Sequence, residues 1–331
     1  MIRHNGLDLL RICATCMVIL IHIGDNLFGG FHIEIGKLCS TMSRPAVPLF
    51  LMLTGAFAFN KKIENRFFFN KFFNKIGIHI IIVSLFYMFY IAVSHNNLNY
   101  DVLKLIFINL LKGQPFYHLW YMYMLIMLYV AIPYIYLIII NLKEKEFNYF
   151  MTFWVFFGII SQYTIIFQTH WMGEFLAFIG YVLIGYKLKN FTFIKQKSTH
   201  ICIILIILGF ICNIISYNLF FLFNTIPLDI ADKLFFTQFS PLIFIGGCLI
   251  FLGFSNLKMN ISFSFLSNKT YYIYLFHAFY LDIMLKILHK YDSWIHIPSS
   301  LVIIVLLMIV LLCSYITSIL YEKIYKFFRK A

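Results

Sequence analysis

Ten mostly apolar runs recur along this chain, and that recurrence leaves few folds open. A helix needs about 20 predominantly apolar residues to cross a hydrocarbon core of ~30 Å. The runs lie at roughly 7–25, 45–60, 76–95, 118–140, 149–167, 172–188, 200–219, 235–254, 270–289 and 298–320. The second is short and carries Pro45 and Pro48, and only a tight turn around Gln168 to Trp171 separates the fifth from the sixth. The chain is 62% hydrophobic and 12% charged, whereas soluble domains sit at about 45–50% and about 25%. A water-soluble core of this length cannot absorb that excess. The expected fold is therefore an all-α integral membrane protein, a bundle of about ten transmembrane helices forming one multi-pass domain over 1–331. The first run begins almost at once and no small-residue cleavage site follows it, so it reads as a retained helix.

The net charge of +13 raises the question of nucleic acid. In so apolar a chain, excess Lys and Arg instead mark cytoplasmic loops, and no nucleic-acid partner is expected. With the N-terminus in the cytoplasm, 19 of the 26 basic residues fall inside and 7 outside, loop by loop. Both termini are therefore expected to face the cytoplasm. The longest outer loops, 25–44 and 96–117, are too short for a globular domain, which confines any chemistry to the bundle or its mouths. The absence of an internal repeat disfavours transporter folds built from two related halves. Of the seven cysteines, all but Cys39 lie inside apolar runs. That pattern is neither a disulfide framework nor a zinc site. Cys13 and Cys16 have CxxC spacing without a βαβ context and read as small packing residues. No metal site is expected.

Ionisable side chains inside spans are costly, so each is a candidate for function. In "RICATCMVILIH", residues 11–22, eleven steps of 100° turn through three revolutions plus about 20°. Arg11 and His22 thus share a face, separated by ~16 Å of helical rise. Asp8, three residues before Arg11, is spaced to neutralise it. Snorkelling of Arg11 to the interface and capping of the outer end by His22 are the plainer alternatives. His118 opens "HLWYMYML", where Trp120 and the tyrosines are also ordinary interface anchors. His277 can hold helices together as readily as do chemistry. Glu174 and Asp282 show no sequence-local partner, and His79 lies near a basic end. The stretch 60–76 sets Lys61, Lys62, Arg66, Lys71 and Lys75 against Glu64. Such a cluster suits anionic membrane lipids or a polyanionic ligand such as a nucleotide or coenzyme A. No GxxxxGK[ST] motif accompanies it.

The residues resemble a known family. "RHNGLDLLRICATCMVILIH" looks like the first helix of the acyltransferase family 3 membrane proteins, with an Arg, ten residues and a His. "RPAVPLFLMLTGAF" (44–57), "HLWYMYMLIMLYVAIP" (118–133), "FIGYVLIGYKL" (178–188) and "LSNKTYYIYLFHAF" (266–279) are similar to further family segments, in order. The family's paired arginines of the third helix are replaced here by "NKFFNKI", with Phe72 in place of the first and Lys71 and Lys75 nearby. The resemblance implies O-acylation of an extracytoplasmic saccharide, such as a surface polysaccharide or a lipid-linked oligosaccharide, by cytosolic acyl-CoA, with acetyl the expected group. It implies a bacterial plasma (inner) membrane location and no permanently bound cofactor. On this reading Arg11 and His22 are the catalytic positions. Arg11, Arg66, Lys71 and Lys75 take the coenzyme A phosphates, and His118, Trp120 and Glu174 face the acceptor. A transporter or flippase for a lipid-linked saccharide is the competing class.

Overall fold

The structure, a computed structural model, describes residues 4–27, 32–59, 69, 72–94, 100–161, 170–191, 198–223, 228–290 and 296–330. Among the described residues all regular structure is helical. The elements are α1 (Asn5–Asn26), α2 (His32–Ser43), α3 (Ala46–Ala58), a π-helical turn (Phe73–Gly77) running into α4 (Ile78–Ser94), α5 (Tyr100–Leu111), α6 (Trp120–Asn141), α7 (Glu144–Ser161) and α8 (His170–Lys189). They continue with α9 (Thr199–Leu222), α10 (Leu228–Phe235), α11 (Pro241–Asn256), α12 (Ser264–Ser267), α13 (Thr270–Lys290) and α14 (Ser299–Lys330).

Among the described residues, each of the ten apolar runs overlaps a helix. Five helices among the described residues are long and apolar enough to cross a membrane: α1, α6, α9, α13 and Ser299–Phe328 of α14. The others fall short for physical reasons. The 13 residues of α3 rise only ~20 Å, and α7 opens on Glu144, Lys145 and Glu146. The expected outer loops 25–44 and 96–117 are corrected by α2 and α5, which occupy much of them. The face that α2 buries consists of Gly36, Ser40, Thr41 and Ser43, small and polar residues that a hydropathy pattern passes over.

The chain divides into two compact units, Met1–Ala56 with Ile184–Ala331, and Phe57–Leu183. In the first unit α1 is central and packs on α2, α11, α12, α13 and α14, while α9 packs on α2, α10 and α11. The C-terminal half of α1 contributes Ile19 and Ile23, with Leu27 just beyond it, to a core completed by Ile273 and Leu281 of α13 and Val302, Ile303, Leu306 and Val310 of α14. Lipid tails are as apolar as these side chains, so close packing and interhelical hydrogen bonds hold such helices together. The crossing of α1 and α2 shows this directly. A Cβ on Gly24 would lie 2.4 Å from the Gly36 carbonyl oxygen, and one on Gly36 would lie 2.9 Å from that of Gly24. The opposite face of α14 exposes Leu301, Ile304, Val305, Met308, Leu312, Ile316 and Leu320. Their spacing of three and four residues makes a continuous apolar stripe suited to lipid.

In the second unit α4 packs on α5 and on the π-helical turn. Aromatic pairs dominate its packing, among them Phe59 with Tyr136 and Phe72 with Tyr129. Trp154 of α7 meets Phe150, Phe153 and Phe157.

Candidate active site

The polar residues of the first unit gather at two levels along α1. At the lower level His4 caps the helix, its Nδ1 accepting from the Leu7 N–H at 3.4 Å. Burial, followed by the nearby Lys189, pushes the His4 ring below the usual histidine range against the opposing pull of Asp8. A neutral ring suits its role as acceptor. Two turns on, Arg11 Nη1 lies 3.2 Å from Asp8 Oδ1 and donates to Ser267 Oγ at 3.0 Å. Ser267 in turn donates to Asp8 Oδ1 at 2.7 Å. The expected pairing of Asp8 with Arg11 is present. Ser267, brought in by α12, is a third member that no local spacing announced. Two residues further, Lys269 pairs with Glu322 of α14, which also takes Lys326 at 2.7 Å.

Asp8 is buried while the Arg11 side chain is 29% exposed. The carboxylate therefore fixes the guanidinium without enclosing it. Replacing Asp8 with Asn removes a charge-assisted bond worth about 1.5–3 kcal/mol. The expected cost lies at the lower end, because Arg11 is partly solvated. Asp8→Asn should lower the melting midpoint in detergent by a few degrees. An unchanged midpoint would remove Asp8 from the stabilising set.

At the upper level the His22 ring stacks on His277 of α13, with centroids 5.4 Å apart and planes 26° from parallel. His22 is half-buried and His277 fully buried. His277 Nδ1 lies 2.6 Å from the Tyr274 carbonyl oxygen. A carbonyl only accepts, so Nδ1 carries the proton, and the neutral ring then holds its lone pair at Nε2. The Tyr274 ring lies 5.4 Å from the same imidazole, tilted by 49°. Almost one turn beyond His22, Asp25 accepts from Arg44 Nη2 at 3.1 and 3.3 Å and from Ser40 Oγ at 2.6 Å. This cluster ties the end of α1 to the turn between α2 and α3.

Sequence reasoning placed Arg11 and His22 on one stripe, and the helix carries them so. It did not bring His277 to His22; the two are remote in sequence and only the packing of α1 on α13 joins them. The pairing of Asp25 with Arg44 was missed for the same reason. Asp282 does have a local partner, contrary to the sequence reading: Lys286, one turn on, lies 2.8 Å away.

His118 and Trp120 belong to the second unit. His118 is buried, edge-on to Tyr87 at 5.1 Å and to Phe116 at 5.8 Å. Trp120 opens α6 and stacks on Phe178 at 6.1 Å. Arg66 and Lys71 lie outside the described residues. So do the side chains of Lys75, in the π-helical turn, and Glu174, on α8. Among the described residues no group of three or more His, Cys, Asp or Glu side chains is arranged to hold a metal ion.

An all-helical membrane protein with a guanidinium and an imidazole at separate depths of one helix has the parts for group transfer. The sequence profile of the acyltransferase family 3 domain matches residues 4–319, and the chain belongs to that family of acyltransferases. An amino-acid racemase from Enterococcus faecalis is 34% identical over 126 residues, covering 36% of this chain. The chain spans only 18% of that protein's length. No solved structure matches.

Proposed function

We propose that the protein transfers an acyl group, acetyl in the first instance, from cytosolic acyl-CoA to a hydroxyl of an extracytoplasmic saccharide. The observation that carries this reading is the two-level arrangement of α1 in a chain of the acyltransferase family. Arg11 is held by Asp8 and Ser267 at one level. His22 stands on His277 ~16 Å further along the rise. With the termini in the cytoplasm of a bacterial cell, Arg11 lies at the donor mouth and His22 toward the outer side. Arg66, Lys71 and Lys75 are assigned with Arg11 to the coenzyme A phosphates, and His118, Trp120 and Glu174 to the acceptor. These assignments rest on the chemistry of the side chains.

The step is a thioester-to-ester exchange. The acceptor oxygen attacks the acyl carbonyl while His22 takes the hydroxyl proton. The C–S bond breaks, the coenzyme A thiolate leaves and is protonated from the cytosol, and His22 releases the proton it took to water on the acceptor side. The thioester supplies the driving force. Racemisation is a weaker reading, although the named relative is a racemase. The family profile leaves only the first three and last twelve residues of this chain outside. The shared 126 residues therefore fall almost wholly within the acyltransferase domain.

Two measurements test the proposal together: mass spectrometry of surface glycans from cells with and without the protein, and free thiol released from acetyl-CoA by the protein in vesicles. An acyl-sized mass difference with stoichiometric thiol release is expected. Movement of saccharide without thioester consumption would identify a transporter instead. Arg11→Ala should chiefly raise the KM for acetyl-CoA, and unchanged acetyl-CoA binding by calorimetry would overturn the role given to Arg11.

A further inference from the structure

The packing of the first unit sets a second imidazole directly against His22. Nothing in the transfer step so far uses it. We propose that His277 is a positioning residue for His22: a ring locked as its Nδ1–H tautomer, on whose face the His22 imidazole is held and its transient positive charge stabilised. This rests on the acyl-transfer reading above.

The geometry supplies three constraints. First, the Tyr274 carbonyl takes the His277 Nδ1 proton at 2.6 Å, which fixes both the tautomer and the orientation of the ring. Second, the rings are stacked, with centroids 5.4 Å apart and planes 26° from parallel. The near-parallel rings, with the His277 Nδ1 proton already given to a backbone carbonyl, make His277 a platform for His22 rather than a link in a proton chain. Third, His277 is fully enclosed by α13 and its neighbours, whereas His22 is half-buried. Two imidazoles this close in apolar surroundings hold at most one positive charge between them. That charge belongs on the more accessible ring, which is the one able to meet a hydroxyl.

Proton uptake by His22 then turns the stack into a cation over an aromatic face. Such a contact strengthens as His22 takes the proton, and so favours the transition state over the resting enzyme. Removing the face should lower kcat and leave donor binding alone, because Arg11 and its partners lie at the other level of α1.

Two experiments decide the matter. In protein labelled with ¹⁵N-histidine and placed in lipid bilayers, the His277 resonances are assigned by their loss in His277→Phe. A protonated Nδ1 and an unprotonated Nε2 are expected, and the opposite tautomer would overturn the proposal. In thiol-release assays with acetyl-CoA and vesicles of the host's own membranes as acceptor, His277→Asn keeps a donor for Tyr274 but loses the ring. Its kcat should fall about 10- to 30-fold, the worth of a desolvated cation–π contact, with KM for acetyl-CoA within about twofold of the parent. His277→Phe keeps an aromatic face and cannot carry a proton, so it should restore kcat to within about threefold of the parent. Equal inactivity of the Phe and Asn variants would overturn the platform and make His277 a proton carrier. A fall that follows the amount of folded protein, or a matching rise in KM, would make it a packing residue. If the parent protein releases no thiol, the acyl-transfer reading itself fails, and the labelled spectra still report the tautomer.

Discussion

Replacing His22 with Ala should abolish acyl transfer and leave the protein in the membrane at its normal level. General-base catalysis contributes about 10²–10⁴ in rate, so the acetylation of vesicle glycan from acetyl-CoA should fall by at least about 100-fold. The fold should tolerate the change. Asn26 Nδ2 donates to the His22 backbone oxygen at 2.7 Å, a bond that survives any side-chain substitution at His22. His22 is only half-buried. The core on either side of it is built from Ile19 and Ile23. His22→Phe keeps an aromatic ring against His277 and should be equally inactive, which separates loss of the base from loss of packing. Membrane level by immunoblot and transfer by radiolabel are the two readouts. Retained transfer in either variant would sink the assignment of His22. The same pair of variants also addresses a covalent route. If His22 carries the acyl group, brief incubation of the parent protein with labelled acetyl-CoA leaves label on the protein that both variants lack.

The sequence made the stripe of α1 legible because helical periodicity is a local property: Asp8, Arg11 and His22 lie within a single continuous helix. The apolar runs were equally legible, since each is a local excess of apolar residues. What escaped was of two kinds. Ser267 and His277 reach Arg11 and His22 from α12 and α13, and no spacing rule connects residues brought together only by packing. The helix α2 escaped because its buried face is made of Gly36, Ser40, Thr41 and Ser43. Hydropathy measures what a side chain prefers, and these residues are selected for how little room they take. Small side chains let two backbones meet, which is the main source of interhelical packing in lipid.

Gly185→Val should destroy the folded state, and the reason separates two glycines that the sequence presents alike. In "FIGYVLIGYKL" both Gly180 and Gly185 sit in the apolar part of α8. At Gly185 an added Cβ would lie 2.1 Å from the Met52 carbonyl oxygen and 2.3 Å from the Met52 Cα. These are backbone atoms of α3, so no rotamer change relieves the clash and the two helices must separate. Separation takes with it the buried Leu49, Leu51, Met52 and Leu53. It also breaks the bond from Lys189 Nζ to the Ala56 carbonyl at 2.8 Å, one turn further along both helices. Overpacking against movable side chains costs about 1–3 kcal/mol. An immovable backbone puts Gly185→Val above that range, a large share of the ~5–15 kcal/mol that holds a typical domain. At Gly180 the nearest atom to an added Cβ is the Trp154 carbonyl oxygen at 3.6 Å, an ordinary contact. Gly180→Ala should therefore elute from size exclusion in detergent as the parent does and melt within a few degrees of it. Gly185→Val should give little monodisperse protein and rapid cleavage by trypsin. Parent-like elution and melting of Gly185→Val would show that α3 and α8 do not meet at Met52.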